Sequence, residues 1–239
     1  MSDDIFQDLD LRQPDIHLNV QNKSMNEQLG KIVTELDYHL NDEIVKNLFV
    51  FGDVTSTLAG AITAKNNNIR CFHVEAGLRS RNLDMPEERN RMMVDAICDK
   101  LYTPSSDAVQ NLLSENVAIE KIKNVGNIMI DTLVKNFDHI VSKENFDPAE
   151  FSLERNYFVL TLHRPINLTD NNLKIIFDAV SQFTKDYDIL IPAHPRLKDF
   201  VVKNNIDTKK FKVINPQPYI KFLGLVNNST LCLTDSGGL

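Results

Sequence analysis

The 239-residue chain is 42% hydrophobic and 25% charged with a formal net charge of -7, which excludes disordered, collagenous and membrane classes and leaves a globular protein with one large core or two modest ones. The acidic balance argues against nucleic acid as a partner, because polyanion binding needs a segregated basic face. Cys71, Cys98 and Cys232 are odd in number, sit in apolar runs and lack metal-type spacing, so they read as core thiols of a reducing compartment. The amino terminus "MSDDIFQDLDLRQ" is acidic and holds no long apolar segment, so a cytoplasmic location without a membrane anchor is expected.

Along the chain, short apolar runs alternate with stretches of helical period: "NLFVFGD", "TSTLAGAITAKNNN", "IRCFHVE", "PEERNRMMVDAICD", "KLYTP" and "SSDAVQNLLSENV". That alternation predicts βαβ units and a parallel sheet. The strands read as continuous apolar runs, the pattern of sheets covered on both faces. Ser105 and Ser106 supply N-cap chemistry for the helix that follows. A helical stretch "NIMIDTLVKNFDHIV" then leads into the polar, non-periodic "SKENFDPAEFSLERN". Beyond it the alternation resumes with "YFVLTLH", "NLKIIFDAVSQFTKD", "DILIPAH", "PRLKDFVVKN", "FKVINP", "PYIKFLGLVNN" and "TLCLTDSGG". The expected fold is α/β, with a Rossmann-like lobe over 1–145, a linker over 146–156 and a second Rossmann-like lobe over 157–239.

Four strand ends break an apolar run abruptly with titratable or hydroxyl residues: Asp53, the set His73, Glu75 and Arg79, the pair His163 and Arg164, and the pair Asp235 and Ser236. Any one of these is more often a helix N-cap than a site. Four at the same sheet edge point to a binding cleft, since parallel sheets bind ligands beyond their strand carboxyl ends. "SGG" at 236–238 offers unobstructed backbone N–H groups to a phosphate, and Arg164 is a candidate cationic donor. Asp53, Glu75, Glu87 and Glu88 exceed what phosphate binding needs, which points to proton transfer at a sugar carbon.

In order along the chain, "FGDVTSTLAGAITAK", "HVEAGLRS", "MPEERNR", "VGNIMIDTL", "TLHRPIN" and "LTDSGGL" resemble the signatures of the non-hydrolysing UDP-N-acetylglucosamine 2-epimerases. The resemblance implies a two-lobed, glycosyltransferase-B-type architecture, a UDP-sugar substrate and no redox cofactor or metal. It also implies a reaction in which the C2 proton is removed as UDP leaves C1, giving a 2-acetamidoglucal to which UDP re-adds with protonation on the other face. Carried over by motif, Asp53, Glu75 and Glu87 become acid/base candidates and His163 a catalytic or pyrophosphate-stabilising residue. Ser236, Gly237 and Gly238 would hold phosphate together with Arg164, and Gln217 and Phe222 would face the uracil end. Arg91, four residues after Glu87, is expected to orient that carboxylate. Glu88 and Arg89 read as solvated helix surface, His73 and His194 as packed strand-end histidines, and Phe222 also fits a core position.

The family commonly begins with a strand and a glycine-arginine-proline-glutamate turn, and continues past "SGG" with paired glutamates on a helix. The chain opens instead in "DLDLRQPDIHLNV" and stops at Leu239, and it has Ile166 where glutamate is usual. It is therefore expected to be an incomplete form, lacking the first strand, that works as a homodimer or with a complementing polypeptide. Alternative readings are an epimerase of a diacetamido uronic-acid nucleotide sugar and a non-catalytic UDP-sugar-binding remnant. A glycosyltransferase is disfavoured, having less use for clustered carboxylates.

Overall fold

The computed structural model describes residues 6, 9–20, 24–41, 45–142, 147–164, 166–193, 195–203 and 208–236. They fall into two compact units, one spanning Pro14–Thr132 and one running from Leu133 onward together with described residues before Pro14. Each carries a four-stranded, wholly parallel sheet, as the alternation predicts.

In the first unit the order is α1 (Met25–Asn41), β1 (Asn47–Phe51), α2 (Thr55–Asn66), β2 (Arg70–Val74), α3 (Pro86–Ile97), β3 (Lys100–Thr103), α4 (Ser106–Ser114) and β4 (Ile122–Asn124), and α5 (Ile128–Lys135) runs across the division at Thr132 into the second. The strands lie side by side as β1-β2-β3-β4. Helix α2 is built from small residues, and Ala59, Gly60, Ala61 and Ala64 are buried against the sheet. A Cβ on Gly60 would stand 2.9 Å from Val50 Cγ1, so the helix lies closer to β1 than any side chain there permits. Helix α1 and strand β4 carry no reading in the sequence; β4 is only "IKN", too short and polar to register as a strand.

Continuous burial is not what this sheet shows. Cys71, His73, Leu101 and Thr103 are buried, while their neighbours Arg70, Phe72, Lys100 and Tyr102 are not. The second face carries an aromatic row, with Phe49 and Phe72 stacked at 4.7 Å and Phe72 and Tyr102 at 6.3 Å. The runs read as doubly covered because aromatics with one exposed face look the same in sequence as core aromatics.

The second unit contains α6 (Phe137–Ile140), β5 (Tyr157–Thr161), α7 (Asp170–Ser181), β6 (Asp188–Pro192), α8 (Pro195–Lys203), β7 (Lys212–Ile214), α9 (Tyr219–Asn227) and β8 (Leu231–Thr234), with strand order β7-β6-β5-β8. Here both faces are covered. Phe158, Leu160, Ile189 and Ile191 pack with Leu173, Phe177 and Leu197 on one side. Tyr157, Val159 and Leu190 pack with Phe151 and Leu225 on the other. The period of two in β5 and β6 thus divides one apolar run between two cores.

Candidate functional site

Because the strands of the first sheet are parallel, the ends of β1 and β2 deliver Asp53 and Glu75 to the same edge. Glu75 adopts φ 72°, an uncommon conformation for a residue with a Cβ. Arg91, on α3, joins the two: one guanidinium nitrogen lies 2.7 Å from Asp53 Oδ2 and the other 3.5 Å from Glu75 Oε2. Its Nε also donates to the Glu75 carbonyl at 3.3 Å. Arg91 therefore binds Asp53 and Glu75, and not Glu87 as the four-residue spacing implied. The reason is rotational: Arg91 is buried on the sheet side of α3, whereas Glu87 is exposed at its first turn.

Glu87 and Asp53 nonetheless line one cavity of about 330 Å³, with Gln28, Ser56 and Asn90 also on its wall. Two carboxylates with different environments thus face one space, Asp53 ion-paired and Glu87 without a hydrogen bond among the described residues. The cavity lies at the amino-terminal end of α2, whose N-cap position, Val54, contributes no side-chain hydrogen bond.

Glu88 is the clearest correction. It is 3% exposed and accepts hydrogen bonds from the Ser80 N–H at 2.7 Å, the Ser80 hydroxyl at 3.0 Å and the Arg81 N–H at 2.9 Å. Burial alone would raise its pKa, but these donors and nearby Arg79 outweigh it and hold the carboxyl below its ordinary range. Asp95, which carries no reading in the sequence, is also buried, within hydrogen-bond distance of the His73 ring (2.6 Å) and accepting from Gly77 N–H and Arg79. Arg79 in turn makes a two-pronged pair with Glu115 at 2.7 and 2.6 Å. Burial opposes the charge of Arg79, yet Glu115 and Asp95 raise its pKa. A signal for both residues was present: Glu88, Arg91 and Asp95 follow helical spacing, and α3 buries that charged stripe while Met92 and Met93 stand 38% and 45% exposed.

In the second unit, β5 and β8 are neighbours, and their ends bring His163 and Asp235 together. Asp235 accepts from the His163 N–H at 3.0 Å, the Arg164 N–H at 2.9 Å and the Asn167 side chain at 3.0 Å, and its Oδ1 lies 2.6 Å from His163 Nδ1. Burial pushes its pKa up, but the Asn167, Arg164 and His163 contacts dominate and lower it. Asp235 thus anchors the loop, leaving the His163 ring half exposed. Arg164 is exposed. The Ser236 N–H is bonded to Thr234 Oγ1 at 2.9 Å, while Gly237 and Gly238 lie outside the described residues, as does His194. Gln217 is half-buried and donates to the Asn215 carbonyl. Phe222 packs against the core of Phe151, Tyr157 and Leu225, the core alternative noted for it. Among the described residues no cluster of three or more His, Cys, Asp or Glu is arranged to hold a metal, and no helix is long and apolar enough to cross a membrane.

Two parallel-sheet units, each presenting titratable groups at its strand carboxyl ends, define an α/β protein of the glycosyltransferase-B-like class. The chain belongs to the UDP-N-acetylglucosamine 2-epimerase family, a family of isomerases whose sequence profile matches residues 1–239. It is 37% identical to the UDP-N-acetylglucosamine 2-epimerase of Methanococcus maripaludis, covering 98% of this chain and 67% of that one. It is 31% identical to the UDP-2,3-diacetamido-2,3-dideoxy-D-glucuronate 2-epimerase of Pseudomonas aeruginosa, covering 100% of this chain and 67% of the other. The crystal structure of the Methanocaldococcus jannaschii UDP-GlcNAc 2-epimerase in complex with UDP-GlcNAc and UDP superposes with a TM-score of 0.88 at 37% identity, over 100% of this chain and 68% of that one.

Proposed function

We propose that the chain carries the 2-epimerase chemistry of its family, interconverting UDP-N-acetylglucosamine and UDP-N-acetylmannosamine by elimination and re-addition of UDP. The observation that carries this reading is the cavity shared by Asp53 and Glu87, with Glu75 tied to Asp53 through Arg91. A C2–H bond next to an acetamido group is weakly acidic, so its proton must be taken by a positioned base as the C1–O bond to UDP breaks. Its return on the opposite face requires a second acid. Asp53, Glu75 and Glu87 are the groups proposed for these transfers. His163, Arg164 and the Ser236 segment, with Gly237 and Gly238, are proposed to hold the diphosphate, and Gln217 with Phe222 the uracil end. The proposed domain limits are 1–145 and 157–239, with homodimerisation or a complementing polypeptide as the assembly.

Incubation with UDP-N-acetylglucosamine in deuterium oxide tests the reading in one NMR experiment. The expected result is UDP-N-acetylmannosamine with deuterium at C2. Release of free N-acetylmannosamine would move the chain to hydrolytic chemistry, and a C2 position that never exchanges and never epimerises would overturn the proposal. The likeness to the Pseudomonas aeruginosa enzyme supports a second reading, in which the substrate is the corresponding diacetamido uronic-acid nucleotide. Turnover of that compound in preference to UDP-N-acetylglucosamine would establish it.

A further inference from the structure

The turn that carries Asp53 is held in an unusual way. The carbonyls of three consecutive residues are each taken by a side chain from a different element: Phe51 by Thr57 Oγ1 of α2 at 2.5 Å, Gly52 by His73 Nε2 of β2 at 2.8 Å, and Asp53 by Asn90 Nδ2 of α3 at 2.8 Å. Of the three, His73 is fully buried, and its other nitrogen lies 2.6 Å from Asp95 Oδ1. A carbonyl oxygen can only accept, so Nε2 carries hydrogen. Asp95 is fixed in turn by Gly77 N–H at 3.1 Å and Arg79 at 2.8 Å, both on the segment following Glu75. Gly52 itself has φ 68° and its N–H donates to the Val74 carbonyl at 3.1 Å.

The pair therefore spans the two strand ends that bear the candidate carboxylates. We propose that the His73–Asp95 pair is a positioning device for Asp53: through the Gly52 carbonyl it fixes the turn that aims this carboxylate into the cavity shared with Glu87. His73 does not touch that cavity. The kinetic part of this inference rests on the reading of Asp53 as an acid/base group, whereas the structural part does not.

Two amide replacements separate the two ring contacts. In His73→Gln the amide nitrogen reaches the place of Nε2 and keeps the bond to Gly52. In His73→Asn it reaches only the place of Nδ1, keeping Asp95 and releasing Gly52. The expected result is that His73→Asn lowers kcat on UDP-N-acetylglucosamine roughly a hundredfold, the scale of a misplaced catalytic group, with KM little changed. Amide hydrogen exchange at Gly52 and Asp53 should accelerate in the same variant. His73→Gln, which keeps the Gly52 bond but gives up the Asp95 contact, should fall between His73→Asn and the wild type in both kcat and exchange. A purely structural role would lower the melting temperature of both variants alike and leave their kcat equal, and that outcome overturns the proposal. If the wild-type chain does not turn over UDP-N-acetylglucosamine, the functional reading falls by itself. The exchange comparison then decides, with equal rates at Gly52 and Asp53 in the two variants counting against positioning. Should neither variant fold, nitrogen NMR of the wild-type His73 ring supplies the answer, since an Nε2 without a hydrogen contradicts the bond on which the inference stands.

Discussion

Replacing Glu88 measures how much of the first unit rests on a buried carboxylate that looks, in sequence, like helix surface. Its two oxygens satisfy two backbone N–H groups and one hydroxyl of the Ser80–Arg81 turn, at 2.7, 2.9 and 3.0 Å. In Glu88→Ala those donors lose a charged acceptor. A hydrogen bond to a charged group is worth about 1.5–3 kcal/mol, and leaving a buried donor unpaired costs about 1–3 kcal/mol. Water entering beside the exposed Arg81 recovers part of that, so a net loss of about 2–4 kcal/mol is expected. For a unit of this size that corresponds to a drop in melting temperature on the order of 10 °C. Glu88→Gln, which presents an NH2 to one of the donors, should lose somewhat less. The pH dependence has a definite sign. The folded-state pKa of Glu88 is held below its ordinary value, so its contribution is complete above the unfolded value of about 4.3 and is lost as the pH falls through the depressed folded value. The gap in stability between wild type and Glu88→Gln should accordingly be constant near neutrality and narrow below roughly pH 4. Thermal unfolding followed by circular dichroism across pH 3–7, with amide exchange at Ser80 and Arg81, reads both effects. Unchanged melting temperature in Glu88→Ala, or a gap that widens on acidification, would refute the reasoning.

Other perturbations test the site more directly. Asp53→Asn and Glu87→Gln should each reduce turnover about a hundredfold or more while leaving UDP affinity nearly intact, measured by steady-state kinetics and calorimetric titration. Near-normal turnover in both would remove the assigned roles. Asp235→Ala frees the His163–Arg164 loop from its anchor and should weaken UDP binding roughly tenfold, the effect of losing about 1.4 kcal/mol of pre-organisation; Ser236→Ala should also act chiefly on UDP affinity. Gly60→Val places atoms where even a Cβ stands 2.9 Å from Val50 and should cost about 1–3 kcal/mol. Adding Val50→Ala should recover part of that loss in a double-mutant cycle on denaturant midpoints.

The sequence by itself determined the βαβ succession, the two parallel sheets and the positions of Asp53, Glu75, His163 and Asp235 at strand ends, because these follow from local periodicity and from abrupt polarity changes along the chain. It could not determine partners. Arg91 and Glu87 are four residues apart on α3, and helical geometry alone joins them, yet the packing of that helix turns Arg91 toward Asp53 and Glu75. The same packing buries Glu88 and Asp95 and exposes Met92 and Met93, inverting the usual reading of charge and apolarity. A hydrogen bond depends on an acceptor or donor arriving from elsewhere in the chain: Ser80 for Glu88, His73 for Asp95, Asn167 for Asp235. The free energy that makes burial of a carboxylate tolerable lies in those partners, so which charged residues are buried, and what they hold in place, was decided only when the strands and helices packed.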